Sequence, residues 1–361
     1  MKGALICLLS VPLFGIHRIA FKIDDWLYPS LRDVLVQRPL FIVGLPRSGT
    51  TLLHRLLASD EAAFATMPLW ELVFAPAVCQ KRLVQRLGNL DQFFGRPVAR
   101  MLTLIQRMIG SRFDAVHLTR LTSPEEDFLG LLPFDGCFLK VLLYPFDQAV
   151  WDLGYFQSRL GTERRKMLVA TYKRLIQRHL FFRGTDARYL AKNPSLTTWV
   201  PALAEAFPDA TFIGLRRSPV SAVPSQLSSL REGMALFGND VTDPRIVSKF
   251  INLLSHYWFV LEHCAARLPE SRFLLIEYQD LVDSKRNVVE RIETRFGSIY
   301  SIAGRRRIMT ACEEQQSYRS SHLYSLAEFG IDRATLMESF GALPNEGYET
   351  SSFTAKQKVG P

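Results

Sequence analysis

The sequence predicts an α/β protein, with a parallel sheet, helices on both faces and a mostly helical insertion after the first strand–helix unit. Short apolar runs of strand length occupy residues 40–43, 188–191, 210–215 and 273–276. Helical stretches separate these runs, and such alternation of strands and helices is typical of a parallel sheet. With 361 residues, of which 48% are hydrophobic, the chain is long enough to bury a core of this kind.

The segment 1–37 precedes the first strand and is apolar to amphipathic. Residues 4–16 are almost continuously apolar, and His17, Arg18 and Lys22 follow them. This run is shorter than the roughly 20 residues that a membrane span needs. Two interpretations stay open, a peripheral membrane contact through residues 4–22 and a helix packed on the domain. We expect a cytoplasmic protein, which the first interpretation would place at the inner membrane surface.

The first strand leads directly into the most informative stretch of the chain. Gly44 and Gly49 flank a tight turn, after which the pattern predicts a helix from about residue 50 to residue 58. A helix N-terminus after such a turn directs unpaired N–H donors and partial positive charge at one point, which favours binding of phosphate or sulfate. We therefore predict an anion cradle. Its residues are Pro46, Arg47, Ser48, Gly49, Thr50 and Thr51.

A single position indicates what kind of cradle this is. The loop of P-loop NTPases has a lysine immediately after its second glycine. Thr50 occupies that position here, and Arg47 supplies the fixed positive charge from within the loop. The sequence thus predicts a P-loop-like fold but disfavours ATP hydrolysis, and a P-loop kinase or NTPase stays open as an alternative.

A second anion-binding motif follows the strand at 210–215. Arg217 stands at the end of this strand, and Ser225 lies two turns into the helix that begins near Pro219. Both side chains can face one phosphate, and the planar guanidinium of arginine suits that anion. Parallel sheets bind ligands at the carboxyl ends of their strands. We therefore expect this motif, the cradle and Lys192 at one edge of the sheet.

Together, the two motifs resemble those of the sulfotransferases that use 3′-phosphoadenosine 5′-phosphosulfate (PAPS). Residues 44–51 are similar to the loop that holds the 5′-phosphosulfate, and Arg217 with Ser225 to the 3′-phosphate motif, in which Ser218 replaces the usual Asn or Asp. Shorter stretches resemble bacterial sulfotransferases and the related tyrosylprotein sulfotransferases. The resemblance covers roughly residues 38–340. It implies one domain with a helical insertion at about 60–187, and we expect residues 341–361 to form a loose tail.

The resemblance implies transfer of a sulfonate group from PAPS to a hydroxyl group, with release of 3′-phosphoadenosine 5′-phosphate and without a metal. Arg47 and Lys192 are then expected to stabilise the transferring group, although Lys192 could also be a surface lysine. Transfer needs a base for the hydroxyl proton, and two candidates stay open. Glu71 lies in the segment where related enzymes place a catalytic glutamate, whereas His117 has the pKa near neutrality that suits a base.

Composition limits the partners of the protein. The net charge of +9 favours an anionic ligand or surface, and the sequence has no nucleic-acid-binding motif. Five widely spaced cysteines indicate a reducing compartment. The acceptor is left open: the aromatic-rich insertion and apolar N-terminus favour a lipid or other amphiphile, and a glycan or protein tyrosine is an alternative. The second rival interpretation is a non-catalytic protein that binds anions at a membrane surface.

Overall fold

The computed structural model describes residues 2–93, 95–96, 100, 121–314 and 325–341. The sheet within these residues has five strands in the order β2-β3-β1-β4-β5, and all its pairings are parallel. The strands are β1 Leu40–Gly44, β2 Phe64–Ala65, β3 Arg188–Lys192, β4 Thr211–Arg216 and β5 Phe273–Glu277. The predicted fold class is confirmed. Strand β2 was not predicted, because two residues are too few to form an apolar pattern.

Helices surround this sheet. The α-helices in the described ranges are α1 Lys2–Leu27, α2 Thr50–Ala58, α3 Leu69–Phe74, α4 Val78–Phe93, α5 Gln148–Asp152, α6 Phe156–Arg159, α7 Thr162–Arg183, α8 Val200–Ala206, α9 Pro219–Leu236, α10 Pro244–Arg267, α11 Tyr278–Asp283, α12 Lys285–Phe296, α13 Ile302–Glu314 and α14 Arg333–Gly341. Short 3₁₀ helices occupy Pro29–Asp33, Asp127–Phe134, Phe138–Leu142, Leu153–Tyr155, Pro194–Trp199 and Ala327–Phe329.

Strand β1 is buried on both faces. Phe41 and Val43 belong to one cluster of buried apolar side chains, to which α7, α9 and α10 also contribute. Leu40 and Ile42 belong to a second cluster, which includes side chains of α2, α12 and α13. A strand covered by helices on both faces needs consecutive apolar residues instead of an alternating pattern. The unbroken apolar run at residues 40–43 therefore reflects its central position in the sheet.

The insertion between α2 and β3 contains α3 to α7, as its helical pattern predicts. Helix α7 buries one face against the core. The buried residues on that face include Leu168, Tyr172, Leu175, Ile176 and His179. Met167, at helical spacing from this face, is 48% exposed and lies outside it. His179 has no exposed surface, as expected for a structural histidine.

Helix α1 is longer than the apolar run that predicted a segment there, and its second half is part of the packed domain. The Asp24 carboxylate is buried, where it accepts hydrogen bonds from the backbone N–H groups of Val78 (2.6 Å) and Cys79 (2.8 Å) at the start of α4. It also pairs with Arg178 of α7 at 3.1 Å. Because Phe21 is buried as well, deleting residues up to 22 would damage the core. Among the described helices, none is long and apolar enough to cross a membrane.

Candidate active site

The register of the sheet aligns the carboxyl ends of its central strands. Ile42 of β1 lies opposite Lys192, the last residue of β3, and Gly44 lies opposite Leu215 of β4. Arg216 of β4 in turn lies opposite Glu277 of β5. The loop after β1, Lys192 and the residues after β4 therefore share one edge of the sheet, as the order of the motifs predicts.

The loop after β1 turns back so closely on β4 that glycine is required at its start. Gly44 has φ 137°, and a Cβ atom there would lie 2.0 Å from the carbonyl oxygen of Leu215. Gly49 has φ 86° and is the residue before α2. The buried Ser48 hydroxyl donates to the carbonyl oxygen of Leu45 at 2.5 Å. Ser48 thus stabilises the loop internally with its hydroxyl, and the first turn of α2 points its free N–H groups at the sheet edge.

The residues of the two predicted anion motifs meet at this edge. Arg47 Nε donates to Ser225 Oγ at 3.1 Å, which joins the loop to helix α9. An Arg217 amino group donates to the backbone carbonyl of Arg47 at 3.1 Å. The Arg217 guanidinium also lies over the ring of Tyr278, with its central carbon 4.4 Å from the ring centroid. These contacts hold two half-buried guanidinium groups beside the N-terminus of α2, which makes a strongly electropositive site.

Lys192 extends the same positive edge and has two carboxylate partners. Its ammonium group lies 2.7 Å from Glu126 Oε1 and 3.5 Å from Glu125 Oε1. Lys192 is 3% exposed, whereas the two glutamates keep 27% and 23% of their side-chain surface. Two carboxylates that keep contact with solvent thus lie beside a buried ammonium group. From sequence we expected these glutamates to orient partners or to begin a helix, and we did not predict the ion pair.

Glu71, the first candidate for the base, lies in a buried ion pair of the insertion. Its Oε2 atom is 2.9 Å from the ammonium of Lys81 and 2.8 Å from Nδ1 of His179, and all three side chains are at most 2% exposed. Burial by itself raises the pKa of Glu71, but Lys81 and the hydrogen bond from His179 outweigh this and lower it to about 2. A carboxylate with so low a pKa accepts protons weakly. This geometry favours a structural role, although the catalytic role stays a prediction.

Two further histidines bear on the choice of a base, His117 in the insertion and His54 in the helix that follows the cradle. His117, the second candidate for the base, lies outside the described residues. His54 is buried in α2, and burial, assisted by the positive charge of Lys192, lowers its pKa to about 3. His54 is therefore neutral and is not a cation at physiological pH.

Comparison with known proteins identifies the family. A family model described as "Sulfotransferase family" matches residues 39–301. The chain belongs to the sulfotransferase family. The matched residues contain the cradle, the insertion, Lys192, Arg217 and Ser225, so the family's defining region coincides with the site described above. The predicted membership of the sulfotransferase family is confirmed.

Two groups of known proteins are similar to this chain. The omega-hydroxy-beta-dihydromenaquinone-9 sulfotransferases Stf3 of Mycobacterium bovis and Mycobacterium tuberculosis are 23% identical over 269 residues, which are 73% of this chain and 64% of each relative. Among solved structures, sulfotransferase STF9 of Mycobacterium avium aligns with a TM-score of 0.75, 21% identity and coverage of 94% of this chain and 84% of that chain. Sulfotransferase STF1 of M. tuberculosis aligns with a TM-score of 0.67, 20% identity and coverage of 94% and 86%. The structural likeness confirms the fold.

The ion pair of Glu71 predicts a pH-dependent loss of stability. Replacing Glu71 by Gln leaves Lys81 buried without its carboxylate, so we expect the free energy of unfolding to fall by about 3–5 kcal/mol near neutral pH. The folded-state pKa of about 2 lies below the ordinary value of 4.5, so this stabilisation is complete above pH 4.5 and is lost as the pH falls toward 2. The difference between wild type and Glu71→Gln should therefore narrow on acidification.

Urea unfolding of both proteins at about pH 7, 5 and 4 measures this difference. Glu163→Gln is the matched control, because Glu163 lies on α7 with an 88% exposed side chain. The control should change the free energy of unfolding by less than about 0.5 kcal/mol. A Glu71→Gln protein as stable as the control at neutral pH would contradict the structural role.

Proposed function

We propose that this sulfotransferase moves a sulfonate group from PAPS to a hydroxyl group of an amphiphilic acceptor. The convergence of Arg47, Arg217 and Ser225 beside the N-terminus of α2 is the observation that carries the proposal. Two separated anion-binding motifs suit a donor that bears a phosphosulfate at one end of its ribose and a phosphate at the other. The family favours the same donor.

Each group at the edge then has a role in the transfer. The backbone N–H groups of residues 47–51 and the Arg47 side chain bind the phosphosulfate, and Arg217 with Ser225 binds the 3′-phosphate. PAPS brings the sulfonate together with a phosphate leaving group. Lys192 neutralises the negative charge that develops on that leaving group. With this much fixed positive charge from the chain itself, we propose that transfer needs no metal, in line with the resemblance.

For the base we propose Glu126 in place of Glu71, with Glu125 beside it. The Glu126 carboxylate is partly exposed and contacts Lys192 at the end of β3, whereas the Glu71 carboxylate is enclosed by α4 and α7. When the phosphosulfate binds, it replaces Glu126 as the ion-pair partner of Lys192. The Glu126 carboxylate can then take the proton from the hydroxyl group of the sulfonate acceptor. His117 remains the second candidate from the sequence.

Two observations favour an amphiphilic acceptor and a peripheral membrane position through residues 4–22. The Stf3 relatives are named for a menaquinone derivative, although this chain spans only 64% of their length. Helix α1 also presents an apolar stripe on the side away from the domain, with helical spacing. Exposed residues of this stripe are Leu8, Val11, Ile16, Ile19, Ile23 and Trp26. Lys22 is exposed on the same helix and suits an anionic surface.

The rival functions are separated by simple measurements. Magnesium-dependent ATP turnover would favour a P-loop kinase or NTPase. Tight binding of 3′-phosphoadenosine 5′-phosphate without transfer to any acceptor would favour a non-catalytic binding protein. Incubation of the protein with a host-cell lipid and glycan extract and isotopically labelled PAPS, followed by identification of the labelled product, tests the proposed reaction and names the acceptor.

Arg217→Ala should weaken binding of 3′-phosphoadenosine 5′-phosphate. Loss of a charged hydrogen bond to phosphate costs about 2–3 kcal/mol, or roughly 30- to 150-fold in Kd. Calorimetry with and without EDTA measures this, and we expect EDTA to have no effect. Arg216→Ala is the matched control, because Arg216 pairs with Glu262 and Glu277 and should leave Kd nearly unchanged. Equal effects of the two variants, or binding that requires a metal, would contradict the assignment.

Glu126→Gln should lower turnover by about 10²–10⁴-fold, as expected for loss of a general base. Affinity for 3′-phosphoadenosine 5′-phosphate should stay constant or increase, because Lys192 loses its competing carboxylate.

Lys192→Ala should also slow transfer, since the negative charge on the leaving phosphate is then uncompensated. The rate is measured as sulfate release from labelled PAPS, with water in place of the acceptor. If Glu126→Gln keeps the wild-type rate while Glu71→Gln or His117→Ala is inactive, the base is the residue whose variant is inactive, as predicted from the sequence.

The double variant Ile19→Glu/Trp26→Glu should abolish flotation with vesicles that contain anionic lipid. Burial of one large apolar side chain contributes about 1.5–3 kcal/mol, so membrane partitioning should fall by at least about 100-fold. Met167→Glu is the control, because Met167 is an exposed apolar residue of α7 outside the stripe. Both variants should bind 3′-phosphoadenosine 5′-phosphate normally. A wild-type protein that ignores vesicles would show that α1 only packs on the domain.

A further inference from the structure

Asp127 is a buried carboxylate directly behind the proposed catalytic edge. It is 1% exposed and accepts hydrogen bonds from three uncharged donors, the hydroxyls of Tyr172 at 2.8 Å and of Tyr189 and the side-chain amide of Asn193. Burying a carboxylate among neutral donors is costly, and burial raises the pKa of Asp127 to about 6 despite these hydrogen bonds. An apolar side chain at this position would leave the three donors without an acceptor, so Asp127 and its partners form one interdependent polar cluster.

The contact with Asn193 links two separate segments of the chain. The Asn193 amide nitrogen donates to Asp127 Oδ1, and the Asn193 amide oxygen accepts from the backbone N–H of Phe128 at 3.2 Å. The backbone N–H of Asn193 donates to the carbonyl of Ile42 in β1 at 2.9 Å. The start of the 3₁₀ helix Asp127–Phe134 is therefore tied through Asn193 to the strand that leads into the cradle.

The linked residues are the immediate neighbours of the two groups that meet at the site. Asp127 follows Glu126 and Asn193 follows Lys192, and the side chains of Glu126 and Lys192 are 2.7 Å apart. The link therefore fixes the backbone on both sides of this ion pair. Transfer depends on such placement, because a displacement of about 1 Å at a reacting group can cost on the order of 10²-fold in rate.

We propose that Asp127 is a positioning residue: through its hydrogen bond with Asn193, it holds the backbone beside Glu126 and Lys192 so that each side chain is placed for its own role in sulfonate transfer. Tyr172 from α7 and Tyr189 from β3 both donate to the other carboxylate oxygen of Asp127, and neither contacts Asn193 through that oxygen. The inference rests on the proposed function, and it assigns to Asp127 and Asn193 an effect on the rate instead of on donor binding.

The test compares variants that break the link with variants that keep it. Asn193→Ala removes the link completely, because it takes away the side-chain contacts of Asn193 with both Asp127 and Phe128. Asp127→Ala removes only the first of these two contacts. Asp127→Asn keeps it, because the amide oxygen of the new side chain can still accept from Asn193. Tyr172→Phe is the matched control, since it removes one hydrogen bond of the same cluster and leaves the link intact. For each protein, sulfate release from labelled PAPS gives the turnover, calorimetry gives the Kd for 3′-phosphoadenosine 5′-phosphate, and urea unfolding gives the stability.

We expect Asp127→Ala and Asn193→Ala to lose about 10- to 100-fold in turnover with a Kd within about twofold of wild type. Asp127→Asn and Tyr172→Phe should keep turnover within about threefold, whatever their loss of stability. If Asp127→Ala does not fold, Asn193→Ala carries the comparison, because it leaves the carboxylate bonded to both tyrosines. Turnover that falls equally in Asn193→Ala and Tyr172→Phe, or stays at the wild-type level in Asn193→Ala, refutes the inference alone. Wild-type protein that binds no 3′-phosphoadenosine 5′-phosphate refutes the proposed function and the inference with it.

Discussion

The close approach of β1 and β4 at their carboxyl ends is the constraint on which the site depends. The carbonyl oxygen of Leu215 accepts the backbone N–H of Leu45 at 2.9 Å and lies where any side chain of Gly44 would have to go. Thr197 holds the other side of the turn, because its hydroxyl accepts the N–H of Gly44 at 2.8 Å and lies 3.0 Å from its carbonyl. With the turn held from both sides, the loop reverses within a few residues and brings the N-terminus of α2 to the sheet edge. The arginines and the helix N-terminus can meet there only because of this reversal.

The charged side chains at this sheet edge have more exposed partners than those in the insertion. At the edge, Arg47, Lys192 and Arg217 contact a hydroxyl, carboxylates that keep some exposure, and a backbone carbonyl. A bound polyanion can replace the carboxylates at moderate cost, because these keep contact with water. In the insertion, Lys81 and Arg178 form ion pairs with Glu71 and with Asp24 of α1, and these pairs are closed to solvent. Breaking one of those would leave an uncompensated buried charge, so they stabilise the helices around the site and do not exchange with ligands.

Short patterns of neighbouring residues predict much of the fold and of the candidate site. Residues 40–51 contain, in order, an apolar run, two glycines and the hydroxyl residues at the start of α2. Because these features follow one another along the chain, they predict a strand, a tight turn and a helix without knowledge of any tertiary contact. Arg217 and Ser225 are likewise close in sequence, and a helix between them determines their relative direction. Alternating strands and helices then indicated that both motifs share one edge, since parallel strands in such folds end together. For these reasons the sequence by itself determined the fold class, the position of both predicted anion motifs at one sheet edge and the placement of Lys192 at a strand end.

The partners of the titratable groups were decided only by the tertiary structure. Lys192 and Glu126 are 66 positions apart, and Glu71 and His179 are 108 apart. Within its own segment, Glu71 is simply an acidic residue of a short helix, and nothing nearby distinguishes an exposed base from a buried ion pair. Burial and a neighbouring charge set the pKa of a carboxylate, and both come from elements that are distant in the chain. The sequence therefore determined which chemical groups the protein has, and the packing of the insertion on the sheet decided which of them face the site.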